Sequence, residues 1–340
     1  MAGIVEVAAR AGVTPSVVSR LLNGDPALRI RPETRDRILA AAKAADYVPN
    51  RTARALRQAR VGALGVAVHD IHNPVYAEIL AGAEDEARRS GYVLMLANVA
   101  GLASDDDTVR RVFRGGAIDG LMMQRENEHS DAVVARAASA SVPLVVLNER
   151  VEKAMSGVAL DDRAGAFVAT SHLIELGHRR IAHLRAAGRN SRSRDRQAGW
   201  SDTLRAAGLS SDPALVAAGG PTAESGYAGM SELLAREVPF SAVFVGSMLG
   251  AVGAINAAFH HNVPVPDRLS VIGFHDAPLA SYLRPALTVV RMPTRELGVE
   301  AVRLLLGRLD GGPHRQQLVR SPQPEIVRRE STAAPRRADR

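Results

Sequence analysis

The chain has 340 residues, 46% of them hydrophobic, which suits a globular protein of two or three domains with ample length for a large core. It contains no cysteine, excluding disulfides, cysteine-ligated zinc fingers and thiol catalysis, and no segment approaches the roughly eighteen uninterrupted apolar residues of a membrane span. The net charge of +7 is concentrated: residues 1–60 hold eleven Lys and Arg against five Asp and Glu, residues 321–340 hold five against three, and the stretch between is close to neutral.

At the N-terminus Glu6 and Arg10 interrupt any basic-then-apolar signal pattern, so a cytoplasmic protein is expected. Ile4, Val7, Ala8 and Ala11 form one stripe of a first helix, and Gly12 and Val13 break it. Thr14 can cap a second helix that Pro15 opens, since a missing N–H costs nothing at that position. On this helix Val18, Leu21 and Leu22 share one face, while Ser16, Ser19 and Arg20 point the other way. Helix, glycine-containing turn and helix with a polar outer face form the unit that lays its second helix in the DNA major groove. A helical hairpin with no partner fits the same pattern. Pro32 opens a third helix with Ile38, Leu39, Ala42 and Ala45 as its buried stripe.

Asn50 can cap a short helix from Arg51 to about Leu56. It carries Arg51, Arg54 and Arg57, with Leu56 as its one large apolar residue. Arginines for phosphates and a leucine to wedge between base steps suit the minor groove; a solvated linker is the plainer alternative. At about six residues, the helix is too short to persist alone in water.

From Ala63 short apolar runs alternate with amphipathic ones. The runs are 63–68, 92–99, 119–123, 143–148, 180–185, 242–246, 269–274 and 287–292. Helical stretches separate them, including 74–90, 163–176, 195–207 and 248–260. This predicts an α/β body of parallel sheets covered on both faces, in two lobes around a cleft, with ligands at the carboxyl ends of the strands. The predicted domains are a headpiece over 1–46, a hinge helix and linker over 47–60 and a body over 61–320. One lobe comprises about 61–161 and 290–320, the other about 162–289, and 321–340 reads as a disordered basic tail.

Three motifs at the front end carry a resemblance: V-A-x-x-A-G-V-T-x-x-x-V-S-R-x-L-N-G from Val7, R-P-E-T-R-D-R-I, and Y-V-P-N-R-x-A-R-A-L-R. Others follow in the body, at 65–76, 118–121, 143–148, 172–184, 266–276 and 287–291. Together they closely resemble the lactose-repressor/galactose-repressor family of bacterial transcriptional regulators, over roughly residues 3–310. The resemblance implies a homodimer whose headpieces read a pseudo-palindromic operator, a hinge helix in the minor groove and a periplasmic-binding-protein-like body holding a small-molecule effector. It places Pro15, Ser16 and Arg20 at base-reading positions and Leu56 as the wedge. An arginine at Arg20 can contact guanine in bidentate fashion. Ser19, Asn23, Asn50 and Arg51 suit phosphates. Thr14, Val17, Ala53 and Arg54 complete the candidate DNA-binding set. Val17 stands where the family usually has threonine, and Gly3 and Arg31 replace capping hydroxyls.

By the same resemblance the candidate effector residues are Asn73, Tyr76, Gln124, Asn148, Asp161, Arg196, Ser247 and His275. The usual Asn-Asp pair before the helix at 248 is Gly246-Ser247 here, a ligand-binding carboxylate has become His275, and a stacking aromatic is Pro221. Fewer carboxylates with a retained Arg196 point to a sugar acid or phosphorylated sugar, or to a partly vestigial pocket. Such residues could equally be structural at the lobe interface. The rival class is a two-lobed α/β enzyme on a carbohydrate-like ligand, but phosphate-loop, zincin, nucleophile-elbow and dinucleotide motifs are absent. His69, Asp70 and His72 lie in a loop after a strand, Asp70 at a common family position, so no metal or cofactor is expected. His178 reads as structural. Prolines at 313, 322, 324 and 335 argue against a tetramerisation helix, favouring a dimer.

Overall fold

The computed structural model describes residues 3–22, 28–47, 60–104, 106–125, 128–186 and 190–336. The chain divides into two compact units, Met1–Gly62 and Ala63–Arg340.

The first unit contains α1 (Ile4–Ala11), α2 (Pro15–Leu22) and α3 (Pro32–Ala44). Gly12 ends α1 in the left-handed region at φ 64°. There its N–H reaches the Ala9 carbonyl while that of Val13 reaches Ala8, satisfying carbonyls that the helix end would otherwise orphan. Val7, Ala8, Ala11, Val18, Ile38, Ala41 and Ala42 form the core. Leu39, expected inside, is 47% exposed; the inward stripe of α3 runs through Ala41, three residues after Ile38, so Leu39 falls on the outer face. Neither Gly3 nor Arg31 makes a side-chain cap, as the sequence suggests.

The second unit holds two six-stranded sheets. In chain order its helices are α4 (Val75–Arg89), α5 (Val99–Ser104), α6 (Asp106–Val109), α7 (Glu128–Ser139), α8 (Asp162–Glu175), α9 (Ser191–Ala206), α10 (Ala223–Ala235), α11 (Met248–His260) and α12 (Thr294–Leu309). The strands are β1 (Ala63–Val68), β2 (Val93–Asn98), β3 (Gly120–Gln124), β4 (Leu144–Leu147), β5 (Ser156–Leu160), β6 (Ile181–Arg185), β7 (Val216–Ala218), β8 (Ala242–Val245), β9 (Ser270–Phe274), β10 (Thr288–Arg291), β11 (Gln316–Val319) and β12 (Glu325–Val327). One sheet has the order β11-β5-β4-β3-β1-β2 and the other β12-β10-β9-β8-β6-β7. All pairings are parallel except β10 with β12. Parallel strands buried on both faces need helices above and below, which the alternating sequence supplies.

The chain passes between the lobes three times: from β5 into α8, from β10 into α12, and from β11 into β12. β10 therefore belongs to the second lobe, and the first lobe resumes at α12 rather than at 290. Gly82 and Gly298 let α4 and α12 press together: a Cβ on either would lie 2.0 Å from a carbonyl oxygen of the facing helix segment, that of Arg295 or Ile79.

The tail is the main correction to the sequence reading. Residues 321–336 are not a disordered extension but part of the second lobe. β12 pairs with β10, and Ser331 and Thr332 are buried. The Val271 N–H donates to the Ser331 carbonyl at 2.8 Å, the Ser331 hydroxyl donates to the Val271 carbonyl at 2.6 Å, and Thr288 N–H donates to the Ser331 hydroxyl at 2.8 Å. Charged and proline-rich composition hid a segment that is held by backbone pairing and two buried hydroxyls.

His183 on β6 lies in the core of this lobe, stacked on Phe244 at 4.9 Å between ring centroids. Its Nδ1 bonds the Phe244 carbonyl, and burial pushes its pKa down to about 4. Between pH 6.5 and 4 the unfolded chain binds a proton here that the folded chain refuses, so stability falls as pH falls through that window. The expected loss is about 3 kcal/mol. His183→Gln should flatten this part of the pH profile of urea unfolding; an unchanged profile would place the titration elsewhere.

Candidate DNA-facing helix and effector cleft

On α2 the sequence pattern becomes a surface. Val18 is buried, Val17 and Ser19 are half-buried, and Thr14, Pro15, Ser16 and Arg20 are exposed. Val17 packs against the headpiece core. The Thr14 carbonyl accepts from the N–H groups of Val17 and Val18, starting the helix at Pro15. The outer face thus presents a hydroxyl, a proline ring and a guanidinium, the group best matched to a guanine edge or a phosphate. The candidates Asn23, Asn50, Arg51, Ala53, Arg54 and Leu56 lie outside the described residues, as does the whole of the expected hinge helix.

In the second unit the carboxyl ends of both sheets converge on one cleft with a cavity of about 80 Å³. Asn73, Tyr76, Gln124, Asn148, Arg196, Ser247 and His275 all line it. They come from the ends or following turns of β1, β3, β4, β8 and β9, with Tyr76 from the first turn of α4 and Arg196 from α9, where open α/β sheets place ligands.

Asp161 is not among them. It caps α8, accepting from the Ala164 N–H at 3.1 Å, and pairs with Arg320 at 3.3 Å. Its neighbour Asp162 is the buried one. Asp162 accepts from Arg196 Nε at 2.7 Å, and burial pushes its carboxyl pKa up against the pull of Arg196 and Arg192. Arg196 is 5% exposed. It donates also to the Gly246 carbonyl and, at 3.0 Å, to His275 Nε2, and stacks over the Phe274 ring at 4.1 Å. The guanidinium expected to grip a ligand is therefore first a structural hub, with its charge balanced inside the protein.

Burial and the two nearby arginines hold the His275 pKa well below the ordinary imidazole range. A guanidinium can only donate, so His275 Nε2 accepts and the ring proton sits on Nδ1. Both Asn148 and His275 adopt left-handed backbone conformations, at φ 51° and 71°. Such conformations carry strain and cluster where side chains must be aimed at a ligand.

Residues not singled out from the sequence complete the cleft. Asn190 caps α9 by accepting from the Ser193 N–H at 2.9 Å. Arg192 donates to the Asn148 carbonyl at 3.0 Å. Glu149, following β4, accepts from the Ser191 N–H at 2.6 Å, and the Arg150 N–H donates to the Ser191 hydroxyl at 3.0 Å. These bonds draw the first lobe onto the N-terminus of α9, where a carboxylate is also favoured by the helix dipole. Among the described residues no three His, Asp or Glu side chains gather to hold a metal, and no helix is long and apolar enough to cross a membrane.

Comparison with known proteins agrees with this arrangement. Residues 3–50 match the profile for bacterial regulatory proteins of the lacI family, and residues 170–332 match that for a periplasmic binding protein-like domain. The HTH-type transcriptional regulator AscG of Escherichia coli K12 is 33% identical over 99% of this chain and 100% of its own length. Among solved structures, the CelR–cellobiose complex is 30% identical with a TM-score of 0.72, covering 97% of this chain and 100% of that one. The lac repressor dimer bound to operator and the anti-inducer ONPF is 26% identical with a TM-score of 0.74, covering 98% and 99%.

Proposed function

The chain belongs to the LacI family of bacterial transcriptional regulators, and on that premise we propose that it is a DNA-binding repressor whose operator affinity is set by a small molecule in the interlobe cleft. The observation that carries this reading is the pairing, in one chain, of a helix-turn-helix with an exposed polar recognition face and a two-lobed body whose strand ends close on a polar cavity. Cellobiose in CelR and ONPF in the lac repressor are bound by proteins of the same architecture, which supports a carbohydrate-like effector. On this reading the protein is cytoplasmic and catalyses no reaction. Ligand binding shifts the lobe equilibrium, and the state that favours DNA sets whether the ligand induces or corepresses.

The experiment is selection of bound duplexes from a random pool, followed by a metabolite panel tested for change in binding to the winning sequence. A two-fold symmetric consensus and at least one metabolite that alters its affinity are expected. Absence of any metabolite effect would remove the effector half of the proposal.

A second copy of the chain is the partner expected for a pseudo-palindromic site, as in the operator-bound lac repressor dimer. The edge strand β2 suits that contact, because Met95 is 44% and Leu96 51% exposed and, among the described residues, no strand pairs with its outer side; bare apolar edges are normally covered. Met95→Asp should weaken dimerisation about a hundredfold or more, by burying an unpaired charge. Sedimentation would show monomer; an unchanged dimer would move the interface off β2.

A further inference from the structure

The hydrogen-bonding groups around the cavity are unevenly spent. Asn73, Asn148 and Asn190 each use the side-chain oxygen to accept a backbone N–H, from Val75 at 3.1 Å, Leu160 at 3.3 Å and Ser193 at 2.9 Å. That fixes the orientation of each amide and leaves its NH2 as the remaining group. The Gln124 side-chain oxygen accepts from the Tyr76 hydroxyl. Ser247 donates to the Gly220 carbonyl and accepts from the Gly250 N–H. The Asn148 and Gly246 carbonyls accept from Arg192 and Arg196. Among the described residues no aspartate or glutamate lines the cavity itself; the Glu149 carboxylate next to Asn148 is turned to the Ser191 N–H and, at 3.9 Å, to Arg192. His275 is 5% exposed, and among the described residues its Nδ1 has no hydrogen-bond partner. With Nε2 accepting from Arg196, that atom is a buried donor.

The acceptors named here are thus engaged by the protein itself, while the uncommitted groups are N–H donors. Resting on the effector reading above, we propose that the cleft recognises an oxyanion, a carboxylate or phosphate group on a small polar metabolite, held by His275 Nδ1–H and the amides of Asn73, Asn148 and Asn190. A neutral polyol would bring hydroxyl protons with few open acceptors, and each hydroxyl left unmatched costs about ten- to hundredfold in affinity. An oxyanion brings acceptors only, and its charge strengthens each bond it receives. The cavity volume of about 80 Å³ lies well below the roughly 300 Å³ lower end of ordinary ligand pockets. It accommodates such a head group, while a whole sugar needs the lobes to part.

The test uses the full chain and the simplest sources of each group. Inorganic phosphate, acetate and D-glucose are titrated at constant ionic strength while the imidazole resonances of His275 are followed. Phosphate or acetate should shift them saturably with a Kd of about 1–10 mM, and glucose should not; the anion that acts tells phosphate from carboxylate recognition. In His275→Asp, anion affinity followed by calorimetry rather than by the lost imidazole signal should fall at least tenfold. The wild-type titration decides the matter if that variant does not fold. No saturable shift with either anion, or a shift with glucose alone, would overturn the inference. Were an uncharged metabolite to alter operator binding while neither anion bound, the oxyanion inference would fail and the effector reading would stand. Were an anion to bind while no metabolite altered operator binding, the reverse would hold.

Discussion

Removing residues 321–340 should cost the body most of its stability. The tail carries β12, and its loss strips partners from groups deep in the second lobe. The Val271 and Thr288 N–H groups lose Ser331, His172 loses the Thr332 hydroxyl at 3.1 Å, and His178 loses the Ala333 carbonyl at 2.9 Å. Ala286 exchanges bonds with the backbone and carboxylate of Glu330, and Arg329 holds Asp276 at 2.8 Å. At about 1 kcal/mol net per bond, and more where a buried group is left unmatched, the sum is at least about 7 kcal/mol. Whole domains are stable by only about 5–15 kcal/mol. The truncated chain should melt at least about 10 °C lower by calorimetry, or fail to accumulate folded. Melting within about 2 °C of the full chain would show that the segment is dispensable. The milder Ser331→Ala should cost about 1–3 kcal/mol by the same logic.

Arg196→Met should be nearly as damaging, for a different reason. It leaves the Asp162 carboxylate buried beneath the cleft without its hydrogen-bonded cation, which typically costs about 3–5 kcal/mol. Adding Asp162→Leu removes the stranded charge, so the double variant should recover most of the loss. The pH dependence gives an independent check. Without Arg196 the folded-state pKa of Asp162 rises further above its unfolded value. The variant then keeps stability below the unfolded pKa and loses it as pH rises through the folded one. Melting temperatures of the single variant should therefore approach wild type in acid and diverge towards neutrality. Parallel melting curves at every pH, or a double variant no better than the single, would mean that the pair is not the structural hub its geometry indicates.

The parts of the fold legible in the sequence were those where burial is symmetric. The run 63–68 gives β1 residue for residue, and 242–246 gives β8, because strands covered on both faces are apolar throughout. Edge pieces carry no such mark. β11 exposes two glutamines, β7 and β12 are three residues long, and Ser156–Leu160 is too short and mixed to stand out beside the longer runs. The start of α9 was missed for a chemical reason. Its inward face is built from Ser191, Arg192, Ser193 and Arg196, polar because it faces the cleft, so no apolar period announces it. The same polarity hid Asn190 and Arg192 as cleft residues, although an asparagine before a helix is a capping signal in its own right. Asp161 and Asp162 show how fine the distinction is. One residue along the first turn separates an outward cap from the buried partner of Arg196. His275 stood out only through the family resemblance; its tautomer and unmet donor required the packed surroundings.

Whether the exposed face of α2 reads base edges is tested by the affinity of the full chain for its selected duplex relative to random duplex, near 0.15 M salt, for wild type and Arg20→Ala. The wild type should show a clear preference that shrinks about ten- to hundredfold in the variant, since a good bidentate base contact is worth about 1–3 kcal/mol. Equal affinity for both duplexes in the wild type, or a preference untouched by the loss of Arg20, would contradict base readout by this face.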